Sequence, residues 1–258
     1  VLGISGGDGT NHVTLTGFID VYKSQSLPRV AFLRGGTMNT VANHLGIPRG
    51  KPEGLLDRLV GAYAERAVRP LADVERNVMR IGTTYGFLFG TGAVYGFLAE
   101  YYRGGGGPSP LVAARTLLGG IGSALVGGEI VSRIAAPFRG WVELEDGSSW
   151  EERDYFAVAG GTIDQIGLDF KPFYRWAERP GTFHLLGIHT SAMGFVADLP
   201  RIWRAEPMRE GKTYEATPAR ARLHSSDGTM RYMIDGDLHE SKGPLDVTIG
   251  PRVKILSI

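Results

Sequence analysis

Two strand–loop–helix units follow one another at the start of this chain, and they constrain its fold more than any other feature. The apolar run Val1–Ile4 leads into the glycine loop Ser5–Thr10 (SGGDGT). The apolar run Arg29–Leu33 leads into the glycine loop Gly35–Thr40 (GGTMNT). A helical pattern follows each loop. Successive units of this kind predict a parallel sheet with both loops at its carboxyl edge, which is where ligands bind in such sheets.

Three helices are predicted in this first part of the chain, over Asn11–Tyr22, Thr40–Leu45 and Glu53–Ala64. The second ends at Gly46 with Pro48 just beyond, which is a normal stop signal. The third is amphipathic, with one apolar side predicted to contain Leu55, Leu56, Leu59, Val60 and Tyr63.

The glycine loops are suited to phosphate binding. Glycine lets the backbone approach an anion closely, and a helix N-terminus offers unpaired N–H groups with a partial positive charge. Asp8 would repel a bare phosphate, so we expect it to hold Mg²⁺ or to accept a proton from a substrate hydroxyl. The alternative for one loop is an ordinary turn with an exposed Asp8. A second loop favours a nucleotide cradled from two sides, with hydrogen bonds from Thr37 and Asn39.

Beyond Leu71 the pattern changes to short strands separated by turns. The predicted strands are Asn77–Ile81, Tyr85–Phe89, Gly140–Leu144, Tyr155–Gly160, Phe183–His189, Arg220–His224, Arg231–Ile234, Leu245–Ile249 and Arg252–Ile258. They predict an antiparallel β-sandwich. We therefore expect an α/β nucleotide-binding domain over 1–70 and a β domain over 71–258, with the active site in the cleft between them.

Helical patterns interrupt the predicted β domain. One insertion contains the end of a helix at Phe97–Tyr102 and a glycine-broken apolar helix at Leu111–Leu125. Another helix is predicted at Ser191–Arg204. Each apolar helix is interpreted either as core packing, which is the commoner case, or as an element that touches lipid.

Near the C-terminus, Asp235 and Asp237 flank Gly236 after a β segment. Two carboxylates this close raise one pKa or hold a metal ion. The alternative is a solvated β-turn, because Asp-Gly is a common turn pair.

Composition excludes several classes of function. With a net charge of +1, the chain has no bulk electrostatic attraction for nucleic acid. It has no Cys, which excludes disulfides, thiolate nucleophiles and cysteine-ligated zinc. No transmembrane-length apolar run or signal peptide is visible, so a cytoplasmic location is predicted. The sequence opens inside an apolar strand without Met, and we expect further residues upstream.

Taken in order, these motifs resemble the diacylglycerol kinase catalytic-domain superfamily, which includes sphingosine kinases and bacterial lipid kinases. The resemblance rests on GGDGT at Gly6–Thr10, GGTMNTVA at Gly35–Ala42, GTGA at Gly90–Ala93 and DGD at Asp235–Asp237. It implies a two-domain fold with an interdomain active site, and transfer of the γ-phosphoryl group of ATP to a lipid hydroxyl with Mg²⁺. Peripheral membrane contact and a possible homodimer are also expected.

The resemblance assigns roles to residues of this chain. Asp8 and Asp237 match the catalytic carboxylates, and Asp8 is also tied to the metal–nucleotide complex. The predicted nucleotide-binding residues are Gly6, Gly7, Gly9, Thr10, Gly36, Thr37 and Asn39.

Several positions depart from the family pattern. Asp237 is shorter than the usual Glu, and His12-Val13 stands where Asn-Glu is frequent. Arg34 and Met38 are also unusual at their positions. Two other functions therefore stay open: a soluble kinase similar to NAD kinases, and a non-catalytic nucleotide- or lipid-binding protein on the same fold.

Overall fold

The computed structural model describes residues 1–23, 25–103, 115–116, 119–120 and 128–257. Its strands are β1 (Leu2–Ile4), β2 (Val30–Phe32), β3 (Asp73–Ile81), β4 (Thr84–Gly86), β5 (Leu88–Thr91), β6 (Phe138–Leu144), β7 (Ser149–Tyr155), β8 (Ala157–Gly161), β9 (His184–Ile188), β10 (Thr213–Ala216), β11 (Arg220–Ser225), β12 (Thr229–Ile234), β13 (Asp237–Lys242) and β14 (Leu245–Leu256). Its helices are α1 (Asp8–Tyr22), α2 (Thr40–His44), α3 (Pro52–Ala64), α4 (Ala93–Arg103), α5 (Glu129–Ile134), α6 (Ala192–Val196) and α7 (Leu199–Trp203).

The strands form two sheets, a larger mixed sheet and a smaller antiparallel one. The eight-stranded sheet has the order β1-β2-β14-β11-β6-β7, with β3 pairing with β14 and β4. The six-stranded sheet has the order β10-β9-β8-β5-β12-β13, and every pair in it is antiparallel. Apolar side chains from both sheets meet in one core, as the alternating apolar pattern predicts.

The two strands of the N-terminal units are parallel and extend the larger sheet. β1 pairs with β2, and β2 pairs with β14 through Val30 and Ile255. Val30 and Phe32 are buried in the same cluster as Leu15 of α1, whereas Ala31 lies in a cluster with Leu59 of α3. Because side chains alternate along a strand, helices cover both faces of the sheet here.

β14 connects the two cores of the molecule. Leu245 and Val247 belong to the core between the sheets, while Val253 and Ile255 belong to the core beneath α1. A bulge between Ile249 and Arg252 interrupts its pairing with β3. The larger sheet is thus continuous across Leu71, and the division into 1–70 and 71–258 stays a prediction.

Two segments predicted as single strands, Tyr85–Phe89 and Tyr155–Gly160, are each divided between the sheets. The chain leaves the larger sheet after β4 and enters the smaller one at β5, with Phe87 between them. It crosses again between β7 and β8 at Phe156. An unbroken apolar run does not reveal such a crossing, because both sheets bury their inner faces.

The turn between β12 and β13 stabilises the crossing between β4 and β5, where the chain passes from the larger sheet to the smaller one. Asp235 and Gly236 have φ values of 44° and 95°, and Ile234 pairs with Asp237. Positive φ at both central residues is typical of a type I′ hairpin turn. The Asp235 carboxylate is 2 % exposed and accepts the backbone N–H groups of Phe87, at 3.0 Å, and Leu88, at 2.8 Å. This turn is therefore not solvated at Asp235.

Other sequence predictions need correction. α1 begins at Asp8 rather than Asn11, so Gly9 and Thr10 are helical. The strands predicted at Leu245–Ile249 and Arg252–Ile258 are one strand, β14, and the helix predicted at Ser191–Arg204 is two short helices.

The apolar side predicted for α3 is also too wide. Leu55 and Leu59 are buried, whereas Leu56, Val60 and Tyr63 are between 45 % and 60 % exposed. The helix predicted at Leu111–Leu125 lies mostly outside the described residues. Within the part of the chain that the structure describes, no helix has the length and apolar character needed to span a membrane.

Replacing Asp235 with Ala is expected to lower the free energy of unfolding by about 3 kcal/mol, since two buried N–H groups lose their acceptor. Chemical denaturation monitored by circular dichroism measures the change. Asp154→Ala is the matched control, because this exposed carboxylate makes only a 3.3 Å surface contact with Arg139 and its loss costs about 0.5 kcal/mol or less. Equal stability losses in the two variants would show that Asp235 does not hold the crossing.

Candidate functional site

The two glycine loops lie directly against each other at the carboxyl edge of the parallel strands. A methyl group on Gly36 would stand 2.1 Å from Gly7 Cα, and one on Gly35 would stand 2.8 Å from the Gly6 nitrogen. Neither position has room for a side chain. The glycines therefore let the two backbones approach each other. The loops Ser5–Thr10 and Gly35–Thr40 together form one surface, the glycine-loop ridge.

Asp8 joins the starts of two helices. It is the first residue of α1, and its carboxylate accepts the backbone N–H groups of Thr40, at 2.8 Å, and Val41, at 3.1 Å. These N–H groups belong to the first turn of α2, where they have no partner within the helix. Burial raises the pKa of the Asp8 carboxyl, although these two hydrogen bonds and the charge of Arg34 act to lower it.

Asn39 shapes the second loop through its side chain. Its amide oxygen accepts the Gly36 N–H at 3.2 Å, and its amide nitrogen donates to the Gly36 carbonyl at 2.5 Å. The residue adopts a left-handed conformation with φ of 48°, which Asn tolerates better than most residues. The oxygen and the nitrogen of the Asn39 side-chain amide thus both bond within the loop, and its contact with a nucleotide stays a prediction.

Arg34 fixes the base of the same loop. Its guanidinium donates to the Ile47 carbonyl at 2.6 Å and to the Asn43 side chain, and Asn43 in turn donates to the Met38 carbonyl at 3.1 Å. Burial is the main cause that lowers the pKa of Arg34. The unusual Arg before the loop is therefore a structural support.

Asp237 reaches the first loop from the far end of the chain. A methyl group on Gly9 would stand 2.7 Å from Asp237 Oδ1, so the absence of a side chain at Gly9 makes room for this carboxylate. Among the described residues, no hydrogen bond or ion pair engages the carboxylate oxygens of Asp237. Asp237 of β13 therefore lies beside Gly9, the residue that follows Asp8 on α1, and the structure brings the two predicted catalytic residues to the same turn of this helix.

Asp235 does not form a two-carboxylate metal clamp with Asp237. Its oxygens are bound to the backbone of Phe87 and Leu88. Burial raises its pKa well above the ordinary value, with further contributions from the charges of Asp8 and Asp237. Among the described residues, no group of three or more His, Cys, Asp or Glu side chains is arranged to hold a metal ion.

Tyr102 is a neighbour of the carboxylates that the sequence did not single out. Its hydroxyl donates to the Gly236 carbonyl at 2.7 Å, which ties α4 to the turn that carries Asp237. Burial raises the pKa of Tyr102, and the charges of Asp237 and Asp8 raise it further. Its position could not be inferred from sequence, because nothing in the local pattern of α4 marks this tyrosine.

An apolar cavity of about 260 Å³ opens beside the acidic residues. Its wall takes residues from β5, β8, β9 and β12, from helices α4 to α7 and from the connecting segments, and includes Leu88, Phe97, Phe156, Phe173, Phe195 and Ile202. Its few polar lining residues include Asp8, Thr40 and Asp235. Met38 of the second glycine loop also lines it. The loop ridge and the cavity therefore share a wall, and Asp8 belongs to both.

The remaining predicted residues lie on or next to this ridge. Gly6, Gly7, Gly9, Gly36 and Thr37 are half-buried, and Thr10 is exposed one turn above Gly6. Gly7 precedes α1 without any side-chain hydrogen bond to the helix. The motif Gly90–Ala93 is structural: the Thr91 hydroxyl donates to the Val158 carbonyl at 3.2 Å and accepts the Val158 N–H at 3.1 Å.

The first part of the chain is similar to a known family. Residues 1–68 match the family model described as diacylglycerol kinase catalytic domain. The resemblance predicted from the glycine motifs is confirmed for this segment, which is 68 of 258 residues. A search of curated proteins finds no match.

Solved structures share the fold over nearly the whole chain. A diacylglycerol kinase from Bacillus anthracis str. Sterne has a TM-score of 0.59 at 12 % identity, covering 98 % of this chain and 74 % of that one. A candidate diacylglycerol kinase from the same organism has a TM-score of 0.65 at 13 % identity, covering 98 % and 75 %. At such identities the similarity establishes the α/β and β architecture and leaves substrate and activity to be argued from the site.

The contact between the loops predicts a strong effect of Gly36→Ala. Its methyl group would overlap Gly7, and overpacking of this kind is expected to lower the free energy of unfolding by about 2 kcal/mol. Gly54→Ala is the control, since this glycine lies in α3 with nothing within 4 Å of the added methyl. There the free energy of unfolding should rise by up to about 1 kcal/mol. Stabilisation by both substitutions would contradict the loop contact.

Proposed function

We propose that this chain is a kinase that transfers the γ-phosphoryl group of ATP to the hydroxyl of a lipid. One observation carries the proposal: Asp8 lies on the wall shared by the glycine-loop ridge and the apolar cavity. A phosphate donor at the ridge and an apolar acceptor in the cavity would meet at this carboxylate. The family match of residues 1–68 supports the same reaction class.

The cavity supports a lipid as the acceptor. Its lining is almost wholly apolar, and burying a hydrocarbon chain against such a surface contributes about 0.8 kcal/mol per methylene. An acyl chain among Phe97, Phe156 and Phe195 would leave its hydroxyl at the polar end beside Asp8. A polar acceptor such as NAD would have to bury unpaired hydroxyl and amide groups here, which is costly.

Asp8 is proposed as the group that accepts the proton of the lipid hydroxyl. The hydrogen bonds from Thr40 and Val41 fix the orientation of its carboxylate. Burial raises its pKa, which makes the carboxylate a stronger base than an ordinary Asp. The same hydrogen bonds stabilise the ionised carboxylate. Asp8 is therefore suited to accept a proton and to release it after the phosphoryl group has been transferred.

The start of α1 is proposed to bind the phosphates of ATP. The N–H groups in the first turn of a helix have no intrahelical partner, and the helix dipole places positive charge there. α1 has 15 residues, and Gly7 at its cap offers no side chain to fill the position. Gly6, Gly7 and Thr10 would contact the phosphates, with Thr37 and the Gly36 backbone on the other side. Asn39 contributes by shaping this loop.

The residues present fit a magnesium ion that arrives with ATP rather than one held by the protein alone. Mg²⁺ is usually bound by one or two carboxylates together with substrate phosphates. Asp237 has carboxylate oxygens that no described residue engages, whereas both oxygens of Asp8 already accept backbone N–H groups. We therefore assign the metal contact to Asp237. When bound, the ion neutralises phosphate charge during transfer.

Tyr102 and Asp235 keep Asp237 in position. Tyr102 holds the Gly236 carbonyl, and Asp235 fixes the turn against Phe87 and Leu88. Since phosphoryl transfer depends mainly on positioning and electrostatics, these contacts set the distance between Asp237 and the first loop. The shorter side chain of Asp237, compared with Glu, is accommodated because Gly9 lets it approach the helix closely.

A membrane surface is the proposed source of the acceptor. α6 and α7 line the cavity through Phe195 and Ile202, and they also expose Met193, at 44 %, and Trp203, at 57 %. Arg204 follows Trp203 directly and is exposed. An exposed aromatic residue next to a cation suits an interface with anionic lipid. Docking by α6 and α7 would bring the cavity to the lipid phase.

Substitution of Asp8 tests the catalytic assignment. Purified full-length protein is expected to transfer ³²P from labelled ATP to diacylglycerol or a long-chain base in mixed micelles. Asp8→Asn should lower kcat by a factor of about 100 to 10,000, the usual contribution of a general base. Asp57→Asn, an exposed carboxylate on α3, is the control and should leave kcat unchanged. Turnover by Asp8→Asn at the control rate would refute the role of Asp8.

The assay also separates the other functions. Phosphorylation of NAD with no lipid product would select the soluble kinase. ATP binding without transfer to any lipid would select the non-catalytic protein.

For an active enzyme, kcat/KM should fall with decreasing pH in a step above the ordinary Asp pKa of 3.8, because burial raises the pKa of Asp8 and only the ionised form accepts a proton. A step at or below 3.8 would contradict this.

Trp203→Ala is expected to weaken binding to vesicles containing phosphatidylglycerol by about tenfold, because the lost burial of a large side chain is worth about 1.5 kcal/mol or more. Cosedimentation measures the partition. Tyr63→Ala on α3 removes another aromatic residue, 45 % exposed, and should have no effect. If both variants bound vesicles like the unchanged protein, α7 would not be part of a membrane surface.

A further inference from the structure

A second, polar pocket lies away from the apolar cavity, between the start of β3 and the segment 176–182. It has a volume of about 110 Å³. Its charged and aromatic lining consists of Glu75, Arg76, Trp176 and Arg179, and hydroxyls of Thr162 and Thr182 complete it. Pockets that enclose drug-sized ligands have volumes of roughly 300 Å³ or more, so this pocket is suited to a much smaller group.

Arg76 is held rigidly at this pocket. Its guanidinium stacks on the Trp176 ring at 4.6 Å, its Nε donates to His44 Nε2 at 3.2 Å, and one Nη donates to the Glu75 carbonyl at 2.9 Å. His44 also packs edge-on against Trp176, with ring centroids 4.7 Å apart. A guanidinium with so little freedom loses little entropy on binding an anion.

Among the residues that the structure describes, no carboxylate forms an ion pair with Arg76. Its Nε donates to His44 Nε2, and the other ring nitrogen of His44 lies 2.5 Å from Asp164 Oδ1. The His44 ring therefore lies between Arg76 and Asp164. Burial lowers the pKa of Arg76, and Asp164 only partly offsets this.

The rest of the pocket adds positive charge. Within the described residues, no carboxylate lies within ion-pairing distance of the Arg179 side chain. Glu75, the acidic residue of the lining, is shared between Arg252, at 3.5 Å, and Lys254, at 3.7 Å. Two guanidinium groups, one of them half-buried and fixed, thus line a concave space, and neither forms an ion pair with a carboxylate in the part of the chain that the structure describes.

We propose that this pocket binds a phosphate group, as inorganic phosphate or as a small phosphate monoester. Guanidinium groups bind phosphate oxygens through paired, charge-assisted hydrogen bonds. The Thr182 hydroxyl donates to the Arg179 carbonyl at 2.8 Å and so holds the segment that carries Arg179. The site is separate from the glycine loops, and the proposal does not depend on the kinase activity.

The indole N–H of Trp176 provides a local probe of this pocket. Protein labelled with ¹⁵N-tryptophan is titrated with inorganic phosphate at constant ionic strength, and the Trp176 signal is assigned with Trp176→Phe. The signal is expected to shift saturably. Arg179→Gln should raise the Kd about tenfold, the effect of losing about 1.4 kcal/mol of charge-assisted hydrogen bonding. Arg139→Gln, on β6, should leave the Kd unchanged.

Two further measurements complete the test. Arg76→Lys, with its fold checked by thermal melting, should also raise the Kd, because Lys keeps the charge but loses the paired hydrogen bonds. Glycerol 3-phosphate and monomeric short-chain phosphatidic acid are titrated in parallel, and the tighter ligand identifies a free or a lipid source of the phosphate. An absence of any saturable shift, or an unchanged Kd in Arg179→Gln, would overturn the proposal.

Discussion

The hydrogen bonds from the Thr40 and Val41 N–H groups to the Asp8 carboxylate are the interaction on which the arrangement of this site depends. They join the first residue of α1 to the first turn of α2, and hence the ends of two parallel strands. Such a short link is possible only because Gly7 and Gly36 let the loops touch. Without the link, the first turn of α2 would lose its acceptor and Asp8 its orientation.

The same carboxylate also lines the apolar cavity, and the proposed chemistry depends on this double position. The α2 N–H groups favour the ionised form of Asp8, whereas burial favours the neutral form and raises its pKa. A carboxyl under these opposed influences can gain or lose a proton with only a small change in free energy. The proposed function uses this carboxylate as the proton acceptor between an apolar chain in the cavity and phosphates at the ridge.

The second carboxylate depends on a long-range contact. The hairpin of β12 and β13 delivers Asp237 to Gly9, and it does so because Asp235 fixes the turn at the crossing of β4 and β5. The crossing and the site are therefore coupled: the residue that completes the backbone hydrogen bonds of Phe87 and Leu88 also determines where Asp237 lies. In this way the C-terminal strands contribute to a site that begins at the N-terminus.

Local patterns predicted part of this from the sequence. The glycine loops, their shared edge and Asp8 follow from short motifs, because the spacing of strand, loop and helix is a local property. β7 and β13 were missed since their charged residues hide the alternation of a strand at a sheet edge. The crossings at Phe87 and Phe156 were missed because apolar runs look alike in either sheet.

Other features depend on residues far apart in the chain. An Asp-Gly pair is typical of a solvated turn, and only the structure shows that Asp235 is buried against a strand from the middle of the chain. The cavity could not be predicted, since its wall combines side chains from helices and strands that lie far apart in the chain. The support that Tyr102 gives to Gly236 is of the same kind.

The central claim is that an apolar cavity delivers a hydroxyl to Asp8, and its most direct measurement is the dependence of kcat/KM on acyl length in a series of monoacylglycerols with ATP as donor. Each added methylene buried in the cavity should raise kcat/KM about fourfold, corresponding to about 0.8 kcal/mol, until the cavity is filled. A plateau at greater lengths is then expected. A value of kcat/KM independent of acyl length, with efficient phosphorylation of a polar acceptor such as NAD, would contradict the account.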